Sequence, residues 1–342
     1  MRFPLLLPIR LSLKQRTTDQ VIQNKTVAIF ATVFERKNMK YFNLANYNAS
    51  RVGQGCMRIA SLDKKEIDTL IKTDIDCGIN FFDHADIYGG GECERKFGEF
   101  LKDNPSLKDK IIIQTKCAIT NGYYDFSKEH IIKSVEGSLK RLGTDYVDFL
   151  LLHRPDTLME PSEVAEAFEI LSTQGKVKCF GVSNQSAFQM ELLQKYLGNI
   201  KLHINQLQLS ITNTGIIDSG LNVNTEKCEA IDRDGSVLDY CRLKDITIQP
   251  WSPLQHGFFG GTFINNRAYE NLNKKLKEIG EKYGITDTSV AILWILRHAA
   301  RMQPIIGTVN TGRIKEICKG ADFDMTRQEW YELYKSTGKT LP

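Results

Sequence analysis

The chain reads as an α/β protein closed into a (β/α)8 TIM barrel, and three features of the sequence predict this. From Met39 onward, short apolar runs bounded by turn residues alternate about eight times with segments of helical periodicity. Polar residues gather at the C-terminal ends of nearly all these runs, where a barrel collects them around one mouth. No linker composition interrupts the alternation, and no G-x-G-x-x-G opens a helix, which disfavours the competing open doubly wound sheet.

The first unit is a glycine-bearing strand and loop over Val52–Ile59, followed by a helix that Asp63 opens, that carries Ile67, Leu70, Ile71 and Ile75, and that stops at Gly78. The second strand, Ile79–Phe82, breaks into Asp83-His84-Ala85-Asp86-Ile87-Tyr88 and three glycines, as a buried parallel strand does when it delivers polar groups to a loop. A helix around Glu92–Leu101 ends before Asn104-Pro105, and the β-branched run Ile111–Thr115 ends in Lys116. Ser127 opens a helix through Leu142 that Gly143 closes, and Val147–Leu152 ends in His153-Arg154-Pro155-Asp156. Pro161 opens the next helix, closed by Gly175, before the strand Val177–Val182 ends in Ser183-Asn184. Then come a helix over Ser186–Leu197, a strand over Ile204–Leu209, a helix over Gly235–Leu243 and a strand over Ile246–Trp251. A helical pair, Ala268–Tyr283 and Asp287–Ala300, precedes the last strand, Gln303–Ile306, which ends at Gly307-Thr308. Parallel strands joined by helices need right-handed crossovers, and eight of them close naturally.

The 342 residues carry a formal charge of +4, but residues 1–38 hold seven Lys or Arg against two acids, leaving the remainder near −1. Nucleic acid is therefore not indicated as a partner. No apolar run is long enough to span a membrane. The eight cysteines are scattered without a C-x-x-C pair or a Cys/His cluster at metal spacing, which fits free buried thiols in a reducing cytoplasm and no metal. The basic, proline-broken segment 1–38 is a poor signal sequence and reads as a disordered leader or an upstream start, with a single domain over 39–342.

Asp83, Tyr88, Lys116 and His153 come from successive strand ends. Singly they could be a cap, a packing group, a solvated terminus and a loop hydrogen bond. Together they form a proton-donating site for a carbonyl: the Lys116 charge favours tyrosinate, Asp83 keeps Lys116 protonated, and His153 orients the reacting oxygen.

The series F-D-x-A-D-x-Y-G, I-x-T-K, L-L-x-H, G-V-S-N, N-Q-x-x, W-S-P-L and I-I-G-T resembles, in order and over residues 39–342, the aldo-keto reductase superfamily. Asp83–Gly90, His153–Asp156 and Met325–Trp330 look most like its bacterial YdhF-type oxidoreductases. The resemblance implies hydride transfer from a reduced nicotinamide to an aldehyde or ketone, with Tyr88 as proton donor and Asp83, Lys116 and His153 completing a catalytic tetrad. It implies NADPH as cofactor, with NADH open as an alternative, and a small-molecule carbonyl substrate.

Residue by residue, the resemblance puts Ser183, Asn184 and Gln206 on the nicotinamide carboxamide and Trp251 on the nicotinamide face, where the family usually has tyrosine. Gly55, Cys56 and Met57, with Asp83, match the loop beside the cofactor, and Ser252, Leu254 and Gly257 match the loop over the pyrophosphate. Gly307, Thr308, Arg313 and Glu316 match the adenine end, although Gly307 stands where many members have lysine and Ile317 where many have asparagine. Arg313 favours a 2′-phosphate. Selectivity falls to the loops Thr212–Ile231 and Phe258–Arg267 and to the C-terminal tail, with Phe258 and Phe259 as pocket or packing residues. His84 and Arg154, beside tetrad members, bias the mouth toward polar or anionic carbonyls.

Rival readings are a metal-dependent hydrolase, which lacks its H-x-H pair here, a Schiff-base lyase using Lys116, and a cofactor-binding sensor or scaffold without turnover. The preferred reading is a cytoplasmic carbonyl reductase, with its oligomeric state left open.

Overall fold

Side chains alternate between the two faces of a strand, and that period of two sorts this chain into an outer apolar layer, an inner plug and a polar mouth. The computed structural model describes residues 39–257 and 260–341. The readings made of residues 1–38 and of Phe258 and Phe259 lie outside the described residues.

A hairpin that the sequence reading did not anticipate comes first: β1 (Tyr41–Leu44) pairs antiparallel with β2 (Tyr47–Ser50). Its turn residues Ala45 and Asn46 have φ of +50° and +73°. The barrel strands are β3 (Gly53–Gly55), β4 (Phe81–Asp83), β5 (Ile112–Cys117), β6 (Val147–Leu152), β7 (Val177–Ser183), β8 (Leu202–Gln208), β9 (Thr247–Trp251) and β10 (Ile305–Ile306). They bond in the order β10-β3-β4-β5-β6-β7-β8-β9, every pair parallel. A parallel bridge between Ile248 and Met302, just before β10, brings the two ends of the sheet together.

Helices α1 (Lys64–Asp76), α2 (Glu92–Asp103), α3 (Lys128–Leu142), α4 (Pro161–Thr173) and α5 (Ala187–Tyr196) follow the first five barrel strands. They are succeeded by α6 (Gly215–Leu221), α7 (Val237–Leu243), α8 (Glu270–Tyr283), α9 (Asp287–Leu296), α10 (Thr311–Gly320) and α11 (Arg327–Lys335). The expected starts are chemically marked: Asp63 and Ser186 form reciprocal capping boxes with Glu66 and Gln189. Several expected bounds shift: β4 begins at Phe81 rather than Ile79, β8 at Leu202 rather than Ile204, α7 at Val237 rather than Gly235 and α8 at Glu270 rather than Ala268, α9 ends at Leu296 rather than Ala300, and β10 is only Ile305–Ile306. The loop expected over Thr212–Ile231 contains the short helix α6. At Gly98, α2 crosses α3 so closely that a Cβ would lie 2.3 Å from the Arg141 carbonyl oxygen.

Outward residues of the strands, such as Phe82, Ile113, Leu150 and Val182, join the helix residues Ile71, Phe97, Val135 and Phe168 in the main apolar core. Inward residues build a second core: Phe81, Ile112, Phe149, Leu151, Ile204 and Ile305 pack with Leu44 and Ala49 of the hairpin, which stoppers that end of the barrel. Two residues further along these strands the inward side chains change character, to Asp83, Gln114, His153 and Gln206. Burial of the plug therefore fixes which side chains face the opposite, functional end.

Candidate active site

Past the end of β4 the chain keeps contact with β5: the His84 N–H donates to the Gln114 carbonyl and the Asp86 N–H to the Lys116 carbonyl. The chain then turns through a 3-10 segment, Tyr88–Gly91, in which all three glycines have positive φ, up to +92° at Gly91. Glycine is required there because the left-handed region is costly for other side chains. The turn brings Tyr88 back over the barrel axis.

There Lys116 Nζ lies 2.8 Å from Asp83 Oδ1 and 2.9 Å from Oδ2, and donates to the Tyr88 hydroxyl at 3.1 Å and the His84 carbonyl at 2.8 Å. The His153 ring stands edge-on to Tyr88 with centroids 5.7 Å apart. The four groups predicted from separate strand ends thus meet. Burial opposes the Lys116 charge, but Asp83 and Tyr88 outweigh it and hold its pKa above the usual lysine value. Burial pushes the Tyr88 pKa up; Lys116 acts against that, as the sequence reading expected, yet burial prevails and the phenol stays protonated. Burial, Lys116 and Arg154 hold His153 neutral, far below its ordinary pKa.

Beneath this cluster lies a glutamine layer. Gln114 and Gln206 each donate to Asp83 Oδ1, at 2.5 and 3.2 Å, and to Gln249 Oε1, at 2.8 and 3.1 Å. Gln249 donates to Gln303, and Gln303 to the Ser50 carbonyl at the hairpin. The sequence reading assigned a site role to Gln206 alone. Polar residues recurring at one depth in otherwise apolar strands were the signal for the others.

A cavity of about 890 Å³ opens above the tetrad. Gly55, Met57, Asp83, Tyr88, His153, Ser183, Asn184, Gln206, Trp251, Ser252, Leu254, Gly307, Thr308 and Arg313 all line it. Lys116 lies just below, behind Tyr88 and Asp83. Asn184, in the left-handed region at φ +56°, donates to Ser183 Oγ at 2.8 Å and accepts from Trp251 Nε1 at 3.2 Å. Ser183 donates in turn to the Gln206 carbonyl.

Three expected cofactor residues are not in the lining. Cys56 is buried behind the wall, its N–H spent on the Asp83 carbonyl. The Gly257 carbonyl accepts from Gln208 at 2.6 Å, tying its loop to the end of β8. Glu316 is exposed on α10. Ile317, one residue on, is fully buried in the main core. Arg58, unforeseen, donates to the Gly307 carbonyl at 3.1 Å and lines the same end as Arg313.

His84 is fully buried, its pKa lowered to about 3 by burial and Lys116, and its ring packs edge-on against Phe97. It does not line the mouth, contrary to the role expected of it. All eight cysteines are free, but only five are buried as expected: Cys77 and Cys179 are half-buried, and Cys228 is exposed on a short surface turn. Among the described residues no group of three or more His, Cys, Asp or Glu could hold a metal ion, and no helix is long and apolar enough to cross a membrane.

The profile of the aldo/keto reductase family matches residues 51–336. The chain is 37% identical to a 6-dehydroglucose reductase of Agrobacterium fabrum over 83% of this chain and 93% of the relative. It is 33% identical to the oxidoreductase YdhF of Escherichia coli over 92% and 98% of the two chains. An aldo/keto reductase from Klebsiella pneumoniae, solved with NADP and acetate, has the same fold, with a TM-score of 0.69 at 20% identity over 86% of this chain and 94% of that one. With eight parallel strands in a barrel and a family match across nearly all of it, the chain belongs to the aldo/keto reductase family and is an oxidoreductase.

Proposed function

We propose that this protein reduces aldehydes or ketones to alcohols with NADPH, and that Tyr88 donates the proton. The observation that carries the reading is the position of Lys116 Nζ, 2.8 Å from Asp83 and 3.1 Å from the Tyr88 hydroxyl, at the floor of a cavity of about 890 Å³.

The donor set fits that cofactor. Ser183, Asn184 and Gln206 offer a hydroxyl and two amides for a carboxamide, Trp251 offers an aromatic face, and Arg58 and Arg313 offer positive charge at the far end. When bound, the reduced nicotinamide supplies the hydride. Tyr88 holds its proton and directs it at the carbonyl oxygen. Lys116, fixed by Asp83, stabilises the tyrosinate left behind, and neutral His153 positions the substrate oxygen. The glutamine layer keeps the Asp83 carboxylate in one orientation.

The test is NADPH consumption with a panel of simple aldehydes and dicarbonyls, run beside Tyr88→Phe. Loss of about 10²–10⁴-fold in kcat, with NADPH still quenching tryptophan fluorescence in both proteins, is the expected result. Equal rates would remove Tyr88 from the role of acid. Retained cofactor binding without any turnover would favour a sensor.

A further inference from the structure

The charged groups that line the cavity are unevenly placed. Its acid, Asp83, is taken by Lys116, and the other charges are three arginines. Arg58 and Arg313 lie by Gly307 and Thr308, at the end suited to phosphate. Arg154 enters the lining from a different strand, just past the end of β6. It follows His153 directly, its guanidinium carbon sits 5.4 Å from the centre of the Trp251 ring, and the side chain is half-buried. Apolar side chains share the lining: Met57, Ile87, Ile119 and Tyr124 are among its residues.

An apolar vestibule with one guanidinium near the reacting atoms is a recognisable chemistry. A neutral carbonyl gains little from the cation, whereas a carboxylate gains a planar, charge-assisted pair of hydrogen bonds in a partly water-excluded site. The guanidinium lies by the Trp251 ring, and its five N–H donors can serve protein and ligand together.

We propose that Arg154 is a specificity-determining residue that binds a carboxylate on the substrate, so that the preferred substrates are carbonyl acids with an apolar body. The proposal rests on the carbonyl-reductase reading of the same cavity. Arg154 takes no part in proton or hydride movement; it selects and orients.

The test compares para-carboxybenzaldehyde with its methyl ester, whose aldehyde is the more electrophilic, so intrinsic reactivity works against the proposal. The wild-type kcat/KM is expected to favour the acid by about 10- to 100-fold, mainly through KM, and less so at high salt. Arg154→Gln should bring the ratio near one, while Arg154→Lys keeps part of it. A role confined to propping Trp251 would lower both rates alike and leave the ratio unchanged, which overturns the proposal. A wild type that turns over both compounds equally also overturns it and leaves the reductase reading standing. Failure to turn over either compound, together with every aldehyde and dicarbonyl of the panel, would sink that reading instead. Calorimetry of benzoate binding to the protein–NADP+ complex then decides Arg154: affinity reduced at least tenfold in Arg154→Gln supports the assignment, and equal or absent binding ends it.

Discussion

Lys116 has no solvent exposure, and the carboxylate it touches at 2.8 Å, Asp83, has almost none. A buried pair of this kind gives little net stability as a pair, but removing one partner strands the other. Asp83→Asn should therefore cost about 3–5 kcal/mol in denaturant unfolding as well as depress activity. An unchanged unfolding midpoint would show that Lys116 sheds its proton or finds another partner.

The pH profile of carbonyl reduction should be flat over a wide range. Tyr88 has its pKa raised above 10.0 and His153 has its lowered well below 6.5, so between these values neither group changes charge. The Tyr88 phenol, the proposed acid, keeps its proton throughout and loses it only above its raised pKa, while His153 gains a proton only well below the ordinary histidine range. A kcat/KM limb between pH 7 and 9 that disappears in Tyr88→Phe would contradict this assignment.

Arg313→Ala should raise the KM for NADPH about tenfold and change that for NADH little, since the guanidinium adds most toward the extra phosphate. Parallel kinetics with the two cofactors measure this. Equal changes would mean that Arg313 reads a feature common to both.

Burial and the nearby Glu94 raise Asp86 to about 7. The sign is the unusual one for an aspartate: the folded state binds its proton more tightly than the unfolded state, so stability is full below the unfolded value of 3.8 and falls as pH rises through about 7. Asp86→Asn should therefore match wild type in thermal denaturation near pH 4 and gain on it by pH 8, by on the order of 3 kcal/mol. A constant offset across that range would refute the linkage.

Gly→Ala in a helix interior usually stabilises by about 0.5–1 kcal/mol. Gly98→Ala should do the opposite, because the added Cβ meets the Arg141 carbonyl oxygen at 2.3 Å and backbone cannot move aside cheaply. A higher melting temperature for the variant would show that α2 and α3 separate freely.

The barrel and its tetrad were legible because a strand buried on both faces is a short apolar run, and a run that breaks into Asp83, Lys116 or His153 announces its end. The hairpin was not legible: with Tyr41, Asn43, Tyr47 and Asn48, the segment shows no apolar run to mark a strand until its partner, the barrel floor, is known. Within the run Ile111–Thr115, Gln114 was absorbed into a β-branched strand, although its inward direction makes it a support of Asp83. Cys56, Gly257 and Glu316 were carried over by position, and position does not fix whether a side chain faces a cavity, a core or solvent.

The glutamine layer also governs where the proton spent in each turnover can come from. Gln114, Gln206, Gln249 and Gln303 bear donors and acceptors but neither gain nor lose a proton near neutral pH, and below them lie Phe81, Phe149 and Ile204. The floor of the site therefore orients charge while conducting none. With Tyr88 as the acid, as proposed, its proton returns from the open side, past His153, so the route that admits substrate is also the route of proton supply, and a large substrate filling the mouth would delay the recharging of the acid until product leaves.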